Sequence, residues 1–437
     1  MTLFPPELLN LISPILPFLN DGWKVFEVWW WVFPPFLLWG SFLYLYRFWR
    51  QTIWDSTVKK VLLEIRLPEK IEKPIKAMDY VFAGFHAIHD VMTFREKWIE
   101  GQFQLSISLE IVSIDGKIHF FIRMPEMYRD VIESNIYSQY PEVEIVAVED
   151  YTKQIPADIP NREWDLFGMS WENTKPNGYP IKTYINFENE AERLEERTVD
   201  PLSGLLEGLS TLGPGEQTWL QILCTPIRKS DQPWIEEALT IRDKLVRRPE
   251  KAPPPPPMIT EAIQIIVSGP PKKKEEEKDI IPPEMKLTPG EREIVQAIEQ
   301  KISKSAYSCH IRTIYLGRKD AFLKARARVP YGFFKAISSE SIGGLKPNKD
   351  TMTKYKSIPF WFLDKRRVFL RKRRLFRDYC KRWTPYFPKS PGHYKYVLNT
   401  EELATLYHFP SGIVAPTSSV ERIETRKREA PKGLPIE

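Results

Sequence analysis

The chain has 437 residues, 42% hydrophobic and 27% charged, the balance of a folded protein of two or three domains rather than a polytopic membrane protein. Its 63 basic residues are nearly cancelled by 57 acidic ones, leaving +6, so affinity for polyanions has to come from local clustering. Three cysteines, Cys224, Cys309 and Cys380, exclude a disulfide framework and a CxxC metal motif and suit a reducing compartment.

The first segment, 1–24, holds LFPPELLNLISPILPFL, whose four prolines and Glu7 suit an extracytoplasmic or interfacial piece rather than a span. Next, 25–50 contains 19 uncharged residues from Val28 to Tyr46, about 28 Å of helix, close to the ~30 Å hydrocarbon core. Trp29, Trp30 and Trp31 form one aromatic belt. Tyr44, Tyr46, Trp49 and Trp54 form the other, with Trp39 between them and a kink at Pro34 and Pro35. Arg47 and Arg50 close the segment, and the positive-inside rule puts the bulk of the chain in the cytoplasm. A basic n-region and a small-residue cleavage site are absent, which argues against a signal peptide. The expectation is a single-pass anchor in the inner membrane.

Residues 56–152 alternate cleanly. Val61, Leu63, Ile65 and Leu67 predict a strand, and Met78, Val81, Phe82 and Phe85 predict a helix after Pro74. Phe103 to Ile111 alternate as a second strand, Asp115-Gly116 marks a hairpin, and KIHFFIRM returns as the partner. A helix through Ile132 and Ile136 and the strand EVEIVAV complete the order β-α-β-β-α-β of the ferredoxin-like unit. RNA-recognition domains share this topology, but GKIHFFIR lacks their Gly-aromatic-Gly-Phe pattern, so packing is the favoured use of the sheet.

A second α/β region spans 160–345, ferredoxin-like in character. YPIKTYIN and EQTWLQILCTPI read as strands, the leucines after Asp200-Pro201 and PWIEEALTIRDKLV as helices. A proline-rich, charged insertion, 249–287, predicts disorder. Thr288-Pro289-Gly290-Glu291 then supplies a capping box for a helix through Ile298, followed by the strand YSCHIRTIYLG.

In 346–410, ten of the nineteen residues from Lys365 to Trp383 are basic: Lys365, Arg366, Arg367, Arg371, Lys372, Arg373, Arg374, Arg377, Lys381 and Arg382. Only Asp378 opposes them, and a broken apolar stripe runs through Val368, Phe369, Leu375, Phe376 and Tyr379. Such a helix suits DNA phosphates, anionic lipid or an acidic protein face; a plain solvated helix is the alternative. Asn399 and Glu402 then cap a short helix ended by Pro410, and 411–437 reads as a flexible tail.

Together these elements predict an α+β chain: one N-terminal transmembrane helix, two ferredoxin-like α/β sandwich domains and a basic C-terminal helical region. GxxxxGK[ST], GxSxG, HExxH and DxDxDG are all absent, and His86 with His89 lacks a third ligand. No catalytic residue, cofactor or metal is expected.

The runs LLEIRLP, FREKWIEG, SLEIVSIDGKIHFFIR, IYSQYPEVEI, PGEQTWLQIL, LTPGEREIVQAIEQKIS and VLNTEELATLYHFP cover most of the chain. They resemble an uncharacterised family of small-genome candidate-phyla bacteria. That family is similar to the membrane-anchored, non-catalytic N-terminal half of conjugation-type (type IV secretion) DNA-translocating ATPases. The resemblance implies an oligomeric accessory subunit partnered by a P-loop ATPase supplied in trans, since this chain stops at Glu437, where the ATPase core would begin. It places possible partner docking at Glu401, Glu402, Leu403, Leu406, Tyr407 and His408. A stand-alone membrane-tethered nucleic-acid-binding protein or an envelope scaffold is the alternative.

Overall fold

Strand alternation in this chain is two-sided: apolar side chains line one face of a sheet, and a mixture of large aromatics and buried polar groups lines the other. The computed structural model describes residues 26–68, 71, 73–194, 200–228, 233–246, 287–355, 361–382, 395–410 and 422–423. They fall into two units, residues 1–59 with 90–103, and residues 60–89 with 104–437.

The smaller unit carries helix α1 (Phe33–Thr57). Pro34 and Pro35 sit in its first turn, where a missing amide hydrogen breaks no bond, and the chain ahead of it is also helical at 26–29. Trp30–Val32 before them is a separate 3-10 turn.

Among the described residues no helix is long and apolar enough to cross a membrane. The expected transmembrane anchor, and the inner-membrane placement drawn from it, do not hold. Trp29, Trp30, Trp39 and Tyr44 are exposed, whereas Tyr46, Arg47 and Arg50 are half-buried. Arg47 lies over the Trp98 ring at 5.8 Å, and Trp54 meets Phe103 edge-on at 5.3 Å. Gly101, at φ +79°, ends the turn Glu96–Glu100; a Cβ there would strike the Arg50 backbone at 2.5 Å. The side chains of Trp31 and Pro34, and the whole 1–24 segment, lie outside the described residues.

In the larger unit β1 (Lys60–Pro68), α2 (Lys76–Phe85), β2 (Ile107–Ile114), β3 (Lys117–Pro125), α3 (Arg129–Gln139) and β4 (Glu144–Val148) follow in chain order. The strands lie side by side as β4-β1-β3-β2, the order of a split β-α-β unit. Asp115, at φ 53°, and Gly116, at φ 85°, form the hairpin between β2 and β3. The second half adds β5 (Trp164–Asn173), α4 (Tyr184–Leu194), α5 (Ser203–Ser210), β6 (Glu216–Ile227), α6 (Trp234–Leu245), α7 (Pro289–Ser303), β7 (Ala306–Arg318), α8 (Val329–Ala336) and β8 (Leu345–Pro347). Their order is β6-β7-β5-β8, and every neighbouring pair is antiparallel.

The two halves are not separate sandwiches. β2 pairs with β6 from Ile107↔Cys224 to Ile114↔Gln217, so one sheet runs β4-β1-β3-β2-β6-β7-β5-β8. The two ferredoxin-like halves expected from the sequence therefore share one continuous sheet, joined where β2 pairs with β6. Helix α9 (Trp361–Cys380), β9 (Tyr396–Asn399), α10 (Thr400–Leu406) and β10 (Arg422–Ile423) complete the unit. β9 joins β7 at Ala306–Cys309, and β10 pairs in parallel with Leu67 and Pro68. YPIKTYIN, expected as a strand, instead leads into α4. The strand β5, which anchors the second half, was not foreseen. The insertion 249–287 falls outside the described residues, apart from Leu287.

On one face of the sheet, Leu109, Ile111, Ile122, Leu220, Ile222 and Ile311 pack under α2, α3, α5, α8 and α10. The opposite face carries a second core of Val112, Phe121, Trp219, Ile314 and Leu316. Helix α9 lies on this second core.

Candidate polyanion interface

Helix α9 has the composition of a helix that should not form alone, because its like charges repel within each turn. Its apolar stripe overcomes that by docking: Leu375, Phe376 and Tyr379 are buried against Trp219 and its neighbours. Phe376 stacks on Trp219 at 6.1 Å, and Tyr379 lies 5.2 Å from the same ring. Each side chain so buried contributes about 1.5–3 kcal/mol. Gly168 of β5 admits the helix closely; a Cβ there would lie 2.8 Å from Leu375 and 2.6 Å from the Thr313 carbonyl.

The C-terminal end of α9 is locked by charge. Arg382, in a left-handed backbone conformation at φ 50°, donates from Nε to Glu110 Oε1 at 2.9 Å and from a terminal nitrogen to Oε2 at 3.0 Å. It also pairs with Asp150. Glu110 is fully enclosed and accepts from Ser108 at 2.5 Å, Gln221 at 3.0 Å and Tyr151 at 2.7 Å, while Tyr151 and Tyr379 share a 2.9 Å hydroxyl contact.

Burial pushes the Glu110 pKa upward, but the Arg382 charge and the hydrogen bonds outweigh it and hold the carboxyl below its usual range. Asp150 is likewise held low: burial opposes, and Arg382 prevails. Burial dominates at Tyr151 and Tyr379 and raises both hydroxyls well above their usual value. Burial also brings Arg312, which donates to Gln221 Oε1 and the Asp378 carbonyl, down to about 10.

This packing sorts the ten basic residues. Lys365, Arg366, Arg367, Arg373, Arg374, Arg377 and Lys381 are exposed along the solvent face, over about 24 Å of helix. Arg374 and Arg377 lie 3.6 and 3.4 Å from Asp378, with side chains 68% and 63% exposed, a screened contact that leaves both available. Arg373 sits over the ring of the exposed Phe369 at 5.2 Å. Of the other three, Arg371 and Lys372 are half-buried and Arg382 is buried. Arg371 donates to the Met352 and Lys354 carbonyls, Lys372 to Asp165 at 2.5 Å, and Arg382 is the buried lock. Each of these three is engaged by a partner within the protein.

The expected docking residues are also interior. Glu401, Glu402, Leu403, Leu406, Tyr407 and His408 are all buried. Glu402 completes the capping box of α10 and pairs with Lys301 at 3.1 Å; Glu401 pairs with Lys304 at 3.0 Å; His408 meets Asp200 at 2.9 Å. A helix of seven residues needed this internal network to hold it, and its charged side chains are spent there. Among the described residues no group of three His, Cys, Asp or Glu is placed to hold a metal ion. His86 contacts the Ile227 carbonyl at 3.0 Å and stacks beside His89.

Sequence reading missed Glu110, Asp150, Tyr151 and Gln221. Glu110 stands on the polar side of an alternating strand and looks solvent-facing; only a second layer on that face reveals it as buried.

A single, largely antiparallel sheet with helices on both faces, one of them a docked helix with a row of exposed basic residues, defines an α+β protein. The chain belongs to the family described as a domain of unknown function (DUF8128), which it matches over residues 53–418. No curated protein matches it.

Proposed function

We propose that the protein is a non-catalytic accessory subunit that binds the phosphate backbone of nucleic acid through the solvent face of α9. The observation that carries the reading is the row of seven exposed cations on a helix held in place by a buried apolar stripe and an internal ion pair. Preorganised in this way, the helix loses little conformational freedom on binding. A role beside a separately encoded DNA-translocating ATPase rests on the sequence resemblance alone. With Glu401 to His408 buried, such a partner would dock elsewhere on the surface.

The test is fluorescence anisotropy with a short duplex DNA across a salt series. Contact with all seven cations predicts a slope of log K against log salt of about −6. Replacing Lys365, Arg366, Arg367 and Arg373 with Ser should flatten that slope by about 3 to 4. Absence of binding at low salt, or an unchanged slope in the variant, would refute the assignment.

A further inference from the structure

Cys224 on β6 and Cys309 on β7 stand directly opposite one another, with their sulfurs 3.8 Å apart. Neither takes part in the surface assigned to nucleic acid. The ladder hydrogen bonds fix what kind of pair they form. Arg318 donates to the Gly215 carbonyl at 3.0 Å, and every second pair from there carries the β6–β7 bonds, which leaves Cys224↔Cys309 at a non-hydrogen-bonded position. On the other side of β7, Thr400 donates to the Ser305 carbonyl at 3.1 Å. The same alternation turns the Cys309 amide toward Tyr396 of β9 and away from Cys224. Opposed residues at such positions have Cα atoms about 4.5 Å apart, within the span of about 4.4–6.8 Å that a disulfide bridges. Rotation of the two side chains is therefore enough to join the sulfurs.

The pair also sits where a cross-link has an effect. It lies three steps from Ile227↔Ala306, the last pair of the ladder, beyond which residues 228–305 leave the sheet. A bond here closes that whole segment into a loop, and long loops are where a cross-link restricts the unfolded chain most.

We infer that Cys224 and Cys309 form an oxidation site, at which a hydroperoxide converts the two thiols into a disulfide that locks β6 to β7. The Cys309 thiol donates to the Cys224 sulfur, which makes Cys224 the sulfur that attacks the peroxide. With hydrogen peroxide, that attack breaks the O–O bond, leaves one oxygen on Cys224 as a sulfenic acid and releases one water. Cys309 then attacks the Cys224 sulfur, the S–S bond forms, and the hydroxyl leaves with the remaining thiol hydrogen as a second water. Exposures of 2% and 0% make the first step slow, and the neighbouring thiol already in contact stops the oxidation at the disulfide.

The test treats the folded full chain with hydrogen peroxide, removes it, then unfolds, alkylates and digests the protein without reductant for mass spectrometry. The expected product joins the Cys224 and Cys309 peptides, two hydrogens lighter than the reduced pair, and persists in Cys380→Ser. The oxidised protein should also melt at a higher temperature than the same sample after dithiothreitol, which reopens the disulfide and leaves any methionine oxidation in place. Recovery of both thiols in alkylated form, sulfinic acid at either without a cross-link, or a bond that involves Cys380 overturns the inference. So does loss of the cross-link in Cys380→Ser, or a melting midpoint that dithiothreitol leaves unchanged.

Discussion

Replacing Arg382 with Ala should destabilise the larger unit by about 3–5 kcal/mol, the cost of leaving one partner of a buried ion pair without its counter-charge. The weight falls on Glu110, which is fully enclosed, rather than on Asp150, whose side chain keeps 19% of its exposure and can rehydrate. Glu110 keeps its bonds from Ser108, Gln221 and Tyr151, which argues for the lower half of that range. Arg382→Met combined with Glu110→Gln removes both charges and should recover most of the loss, giving a coupling energy of about 2–3 kcal/mol.

Urea unfolding followed by tryptophan fluorescence measures this, because Trp219 lies directly beneath Tyr379 and Phe376. The pH dependence adds a sign. In the wild type the Glu110 carboxyl is held below its usual 4.5, so its contribution is complete above that pH and is lost as the pH falls through the folded-state value. In Arg382→Ala only the remaining hydrogen bonds oppose burial, the larger effect, and the folded pKa rises above the unfolded one. Stability from this group should then increase as the pH falls. A loss under 1 kcal/mol, or the same acid dependence in both proteins, would show that the pair does not hold α9 down.

Gly168→Ala should cost about 1–3 kcal/mol by pushing Leu375 and α9 off β5, seen as reduced amide protection confined to residues 364–382; unaltered protection there would contradict the close approach. Thiol reagents should label the native protein slowly, because burial raises the Cys309 thiol well above its usual value and the Cys380 thiol to about 11. A rapid single-thiol phase at pH 8 would refute it. Lys372→Ser should lower stability with little effect on the salt slope of DNA binding, since its ammonium is committed to Asp165. A slope change as large as that of Arg373→Ser would place it on the surface after all.

Local order was legible in the amino-acid sequence wherever neighbours along the chain decide it. The alternation in β1 and β3, the Asp115-Gly116 hairpin and the capping boxes at Thr288 and Asn399 are short-range patterns and appear as read, whereas β2 begins at Ile107 rather than Phe103 and is buried on both faces. The concentration of basic charge in α9 also appears as read. The opening aromatic run misled because length and absence of charge do not make a helix apolar enough to span, and among the described residues none is long and apolar enough.

What only tertiary structure decided is which faces are covered. The pairing of β2 with β6 joins residues over a hundred apart and turns two apparent domains into one sheet. Once α9 lies on the second face, Glu110 becomes a buried acid, Arg382 its counter-charge, and seven of ten basic residues the exposed row. The charge of a side chain is written in the sequence, but whether that charge meets water or another side chain depends on a layer contributed from elsewhere in the chain.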